Sequence, residues 1–179
     1  MFAGIDFTSG DTEVLSKKAF KFNKTLLCVL ILAVALLLAG CGGAKSTRAK
    51  ADETVHTTLF DFTCGQPETI EKFGNIAIPE GDKLVQFHIS VTNTSDETYD
   101  IFKDDFQLQW GDGDNDFGVA IYPVTPEMFP NDTKLEPGAT VEGNMLVAVP
   151  SDSATLTVAY QEVLGNGNDG NNFFVDLSL

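Results

Sequence analysis

The clearest signal in the chain is an alternation of apolar and polar positions. Over Lys83–Thr92 (KLVQFHISVT), Val85, Phe87, Ile89 and Val91 fall on one side, and Gln86, His88, Ser90 and Thr92 on the other. A period of two is that of a β-strand with one face in a core and one in water. The same period recurs in Val55–Thr63, where Phe60 and Phe62 oppose Leu59, Asp61 and Thr63. It returns in Phe106, Leu108 and Trp110, in Phe117, Val119 and Ile121, in Leu156, Val158 and Tyr160, and in Phe173, Val175 and Leu177. Thr98–Phe102 reads as a further strand. Thr140–Val149 (TVEGNMLVAV) is more continuously apolar, which predicts a strand buried on both faces at the centre of a sheet. Glu68–Ile78 is ambiguous, with a short strand at Ile76-Ala77-Ile78 as its best reading.

Turn residues separate these runs: Gly65-Gln66-Pro67, Pro79–Asp82, Asn93–Asp96, Gly111–Asp116, Leu135–Gly138 and the Asn/Gly-rich 165–172. Pro123, Pro126 and Pro130 forbid an inner strand and predict a connection over one end of the sheets. No amphipathic helix is legible after residue 54. The prediction is an all-β domain over 54–179, an antiparallel β-sandwich of seven to nine short strands.

The amino-terminal part has another pattern. Lys17, Lys18, Lys21 and Lys24 precede an apolar run, Leu26–Ala39, which ends at Leu38-Ala39-Gly40-Cys41. A basic region, an apolar region and small residues in that order are the layout of a secretory signal. Leu-Ala-Gly-Cys resembles the bacterial lipobox, which implies cleavage between Gly40 and Cys41 and, on the Cys41 thiol, a diacylglycerol whose fatty chains would be of the palmitate type. The alternative is a retained transmembrane helix, but the run is shorter than the roughly 20 residues a span requires. The expected organisation is therefore a signal peptide with an N-terminal extension over 1–40, a lipidated Cys41 and linker over 41–53, and the sandwich after it. Asp6, Asp11 and Glu13 stand before the basic region, where signals are seldom acidic. Translation starting at Val14 or Leu15 would give a compact signal, and ribosome footprints would decide it. Gly42–Glu53 (GGAKSTRAKADE) has no apolar period and is expected to be a flexible tether reaching about 40 Å when extended. Lys45, Arg48 and Lys50 would either rest on anionic headgroups or be solvated.

Three groups of residues carry a further resemblance. Glu80–Phe87 leads into Val91-Thr92-Asn93-Thr94-Ser95-Asp96. Phe106-Gln107-Leu108 precedes a Gly/Asp turn, and Leu135-Glu136-Pro137-Gly138 leads to Val141-Glu142-Gly143 and Val147–Pro150. In this order and spacing they are similar to bacterial lipoproteins with an Ig-like domain of unknown function, whose fold resembles a secreted immunoprotective antigen. The resemblance covers about 54–179. It implies a β-sandwich at the cell envelope, on the outer face of the membrane, and carries over no catalytic residue.

Charge narrows the partners. From Thr54 onward four lysines stand against 21 acidic residues, a surface that repels phosphate backbones and argues against nucleic-acid binding. Asp112, Asp114 and Asp116 alternate like the start of a calcium loop. Phe117 holds the sixth position and Pro123 the twelfth, so the segment is not an EF-hand. It offers at most a low-affinity Ca²⁺ site on a hairpin tip, the alternative being a turn kept solvated by its charge. No other cofactor is expected. Cys28 lies in the signal, so Cys64 is left without an intrachain partner. Its neighbours supply no base or oxyanion site for a nucleophile, and His56, His88 and Cys64 are too scattered for a zinc motif. Trp110 and Phe106 form either a ligand shelf or ordinary core. The expected function is a lipid-anchored, non-catalytic module that binds a protein or envelope polymer through loops 111–117 and 165–172. The rivals are a Ca²⁺-dependent adhesion module and an envelope hydrolase using facing loop carboxylates.

Overall fold

The computed structural model describes residues 44–163 and 169–179, all within the compact unit Gly43–Leu179. Cys41, Gly40, the signal segment and the 164–168 portion of the last loop lie outside the described residues. The strands are β1 (Ser46–Lys50), β2 (Thr54–His56), β3 (Phe60–Cys64), β4 (Glu68–Ile70), β5 (Asp82–Asn93), β6 (Tyr99–Phe102), β7 (Phe106–Gln109), β8 (Phe117–Gly118), β9 (Asp132–Leu135), β10 (Thr140–Pro150), β11 (Thr155–Val163) and β12 (Asp169–Ser178). Helical structure among the described residues is one 3-10 turn at Lys103–Asp105.

The strands form a β-sandwich. One sheet runs β1-β12-β11-β7-β8. The other runs β10-β5-β3-β2, with β4 also on β5, and β6 and β9 make a small third sheet. The alternating positions do what their period requires: Val85, Phe87, Ile89 and Val91 of β5 are buried with Leu156 and Val158 of β11 and Val175 and Leu177 of β12. Phe60, Phe62, Phe106 and Tyr160 pack with ring centroids 4.8 to 6.3 Å apart. Such pairs add about 1 kcal/mol each beyond the area they bury.

The longest pairing is antiparallel β5 with β10, in register from Thr140 opposite Thr92 to Pro150 opposite Asp82. β10 is buried on both faces, as its apolar run predicts. Its inner residues Met145, Val147 and Val149 join the main core, while Leu146 joins Leu84 and Met128 in a second small core. Ile70, Phe73, Ile76, Ile78 and Ile121 cover that second core. The strand in this region is Glu68–Ile70, not 76–78, because the isoleucines serve as a lid rather than as ladder residues.

Five further expectations are corrected. β10 is last in its sheet's pairing order rather than central. Its free edge is covered by the proline-rich segment, which runs along the sheet instead of over its end: the Ile121 N–H donates to Leu146 at 2.7 Å, the Phe129 N–H to Asn144 at 3.0 Å, and the Asn144 N–H to Glu127 at 2.9 Å. That close approach requires Gly143, since a Cβ there would lie 2.5 Å from the Phe129 backbone nitrogen. The returning strand after the acidic loop stops at Gly118, with Val119 about half exposed, because Ile121 is drawn onto the second core. Asn/Gly-rich 169–172 belongs to β12 rather than to a loop.

The last correction concerns the tether. Ser46–Lys50 is an edge strand, parallel to β12, with Ser46 opposite Asn172 and Lys50 opposite Asp176. Its polarity is that of an edge strand with little to bury, which makes it look like a linker in sequence. Arg48 pairs with Asp176 at 2.5 Å and lies over the Phe174 ring, 4.9 Å from its centroid. The folded unit therefore begins before residue 54.

Candidate functional site

Asn93 ends β5 and is 1% exposed. A buried amide must satisfy both its donor and its acceptor, and this one does. Its Nδ2 donates to the carbonyls of Glu97 at 2.8 Å and Leu135 at 2.9 Å. Its Oδ1 accepts from the backbone N–H and the hydroxyl of Ser95, each at 2.8 Å. Its backbone N–H donates to Ala139 at 2.9 Å, and its carbonyl accepts from Gly138 at 3.0 Å. Gly138 has φ +75°, a conformation glycine adopts without a Cβ penalty. The sequence runs Val91–Asp96 and Leu135–Gly138 thus meet in one clasp. At the far end of the same strand pair, the Ser151 N–H donates to Gly81 at 2.9 Å and Lys83 Nζ to the Ser153 carbonyl at 2.7 Å. The residues of the family resemblance hold the β5–β10 pair closed at both ends.

Beside the Asn93 clasp lie two adjoining depressions. One, of about 310 Å³, is lined by Asp105, Gln107, Tyr160, Gln161, Asn172 and Phe174. The other, about 220 Å³, shares Asp105, Tyr160 and Gln161 and is completed by Leu59, Tyr99, Ile101 and Val163 among others. Burial pushes the Tyr160 phenol up to about 12, helped by the negative charges of Asp105 and Glu162. Tyr99 is raised by burial and by Tyr160. Burial also raises Asp105, against the N–H of Phe102 that its carboxylate accepts at 2.8 Å, with Asp104 adding to the rise. The phenols therefore stay protonated at neutral pH and offer hydrogen bonds and ring faces rather than a base.

Glu162, between the lining residues Gln161 and Val163 on β11, is 4% exposed. Burial works to raise its pKa, yet the net shift is downward, because the carboxylate accepts the N–H of Thr58 at 2.7 Å and of Asn171 at 3.2 Å. It ties the 57–59 turn to β12. Neither Glu162 nor Asp105 stands out in sequence; a lone acidic residue after a run of strand residues has no signature.

The candidates read from sequence lie elsewhere and apart. Asp116 turns inward: its carboxylate accepts the Gly113 N–H at 2.8 Å and its N–H donates to the Gly113 carbonyl at 3.0 Å. Among the described residues, no three His, Cys, Asp or Glu side chains converge as a metal-holding group, so Asp112, Asp114 and Asp116 are not brought together as ligands. Cys64 is fully buried, with its thiol pKa raised by burial. His88 is exposed, 3.2 Å from Asn144 Oδ1 and 3.8 Å from the Glu142 carboxylate. His56 pairs with Asp61 at 2.9 Å on the surface. Phe106 is core, and Trp110 packs over Gly118, so the two form no open shelf.

Residues 49–169 match a family described as a domain of unknown function, DUF4352. The chain belongs to this family. Among curated proteins, none matches significantly. Among solved structures, the fold is similar to the yjhA protein of Bacillus subtilis, at 17% identity and TM-score 0.58 over 73% of this chain and 99% of that one. It is similar to ycdA of Bacillus subtilis, a suspected lipoprotein, at 14% identity and TM-score 0.54; the match covers 70% of this chain and 38% of that longer one. It is also similar to MPT63, a secreted protein of Mycobacterium tuberculosis, at 10% identity and TM-score 0.51, over 76% of this chain and all of that one. At these identities the likeness is one of fold. The matched span 49–169 takes in both clasps of the β5–β10 pair.

Proposed function

We propose that this DUF4352 chain is a cell-envelope lipoprotein, anchored through a lipidated Cys41, whose sandwich is a non-catalytic interaction module for a protein or an envelope polymer. One observation carries the reading. The side chains that resemble the family signature make hydrogen bonds that hold strands together, and the Cys64 thiol is fully buried and held protonated by that burial. The basic and apolar segments before Cys41, the acidic surface and the fold shared with a suspected lipoprotein and a secreted protein all support placement outside the cell. The sandwich-end loops and the Gln107 side of the Tyr160 depression are the contact surfaces of this reading.

The test has two parts. Full-length protein and Cys41→Ser are expressed with radiolabelled palmitate and fractionated. Label and membrane association are expected for the first alone; equal behaviour sinks the anchor. Immobilised 44–179, which keeps β1, is then exposed to envelope extract. Retention of a protein or polymer that is competed away by soluble 44–179 is expected, and loss of that retention when Gln107 and Tyr160 are replaced would assign the depression. Turnover of envelope substrates by the same domain would overturn the non-catalytic reading.

A further inference from the structure

The pairing of β1 fixes which end of the sandwich lies next to the point of attachment. β1 enters the sheet at Ser46, opposite Asn172, and Lys45 is bonded on both sides of that position: its N–H donates to Asn171 Oδ1 at 3.1 Å, and its carbonyl accepts from Asn172 at 2.8 Å. Asn172 is opposite Gln161, and Val163 opposite Asp169. Glu162 bonds Thr58, and Leu59, Tyr99 and Val163 line one depression. All of these residues share one end of the domain. Lys50, Thr155, Ser178 and Gln109, which leads into the acidic loop, define the opposite end. Pro150 and Asp82 join them, through the Ser151–Ser153 turn that leads to Thr155.

The chain left between Cys41 and Ser46 is five peptide steps. At about 3.6 Å per residue it spans no more than about 18 Å, less than half the reach expected of a free 42–53 linker. We infer that the domain stands end-on at the bilayer, with the Leu59–Val163 end toward the headgroups and the Gly111–Asp116 loop on the far side. This rests on the lipid anchor proposed above. Strands of 10 to 12 residues, as in β5, β10 and β12, place the two ends about 35 Å apart. Leu59 and Val163, 38% and 68% exposed, face the membrane side. Asp96, Glu97, Asp100 and Asp105 stand among them or on the adjoining turn, so the end is held near anionic headgroups by its covalent tether and not by affinity. The 111–117 loop, one of the two expected to make contacts, is then presented outward.

Val163→Cys and Asp112→Cys, each exposed and each in the full-length lipidated protein, are labelled with an environment-insensitive fluorophore in vesicles of phosphatidylglycerol and phosphatidylethanolamine. The headgroups carry an energy acceptor with a transfer distance of about 40 Å; buried Cys64 is replaced by Ala. Transfer at position 163 is expected to exceed that at 112 at least threefold. Inserting 15 Gly/Ser residues after Gly43 is expected to cut that contrast by half or more. Equal transfer at the two sites, or a contrast unchanged by the insertion, overturns the end-on orientation. Palmitate incorporation is read on the same samples; its absence overturns the anchor itself. Cys41→Ser protein is expected not to sediment with these vesicles, and sedimentation would overturn the tether-only account.

Discussion

Two turns of this protein share a polar, acidic character and have opposite roles. Asn93–Glu97 (NTSDE) and Gly111–Asp116 (GDGDND) are both short, polar and acidic. In the first, the Asn93 amide is buried and its bonds reach Leu135, Gly138 and Ala139, more than 40 residues away. In the second, the bonds of Asp116 return to Gly113 and Trp110 within the turn itself. The difference teaches that a polar turn is structural when its donors are removed from water and must be matched at long range. A turn that satisfies only itself contributes little to the rest of the fold.

Breaking the first turn should have the largest effect. Asn93→Ala leaves the Glu97 and Leu135 carbonyls without their donor, and urea unfolding should show a loss of about 3 kcal/mol. A loss under 1 kcal/mol would place the two turns in one class. Next comes Gly143→Ala, where the added methyl meets the Phe129 backbone; about 2 kcal/mol should be lost, and hydrogen exchange at Phe129 and Ile121 should accelerate.

Glu162 sharpens the comparison through pH. Its folded pKa lies below its ordinary value of 4.5, so its contribution is present above that value and is lost as pH falls below it. Melting temperature should fall through this acid range, and Glu162→Gln should flatten that part of the profile while costing about 2 kcal/mol at pH 7. Asp105, raised from 3.8 by burial, acts with the opposite sign: its charged form opposes folding above that value. Asp105→Asn should leave the protein slightly more stable at pH 7 than the wild type and remove this opposing slope.

The smallest effects belong to the second turn. Asp116→Ala should cost less than about 1 kcal/mol, and the double change Asp112→Asn, Asp114→Asn less than about 0.5 kcal/mol. Millimolar Ca²⁺ should leave the melting temperature of both wild type and variant unchanged. A Ca²⁺-dependent rise in the wild type alone would restore the loop as a cation site.

Much of the fold is legible because alternation is a local property. Val85 to Val91 and Leu156 to Tyr160 declare their buried face within a few residues, and the core is built from those faces. β1 and β9 escape notice because STRAK and DTKL are edge segments with almost nothing to bury. The strand order around β10 escapes for another reason. Its apolar run reports burial on both faces, but burial by a sheet neighbour and burial by the 70–78 segment leave the same mark in sequence. The site residues are harder still: Tyr160 is readable only as a core position, and Asp105 and Glu162 only as charges.

Sequence alone determined the period of two, hence the strands, the inner faces and the sandwich, because each strand's pattern answers to the simple need to hide one side from water. Tertiary structure alone decided that Asn93 is a clasp and that the supposed tether is a strand. It also turned Asp116 inward and drew Asp105, Tyr160 and Glu162 to one end. Those outcomes depend on which distant groups arrive within hydrogen-bond reach, and a local pattern of apolar and polar residues carries no record of that.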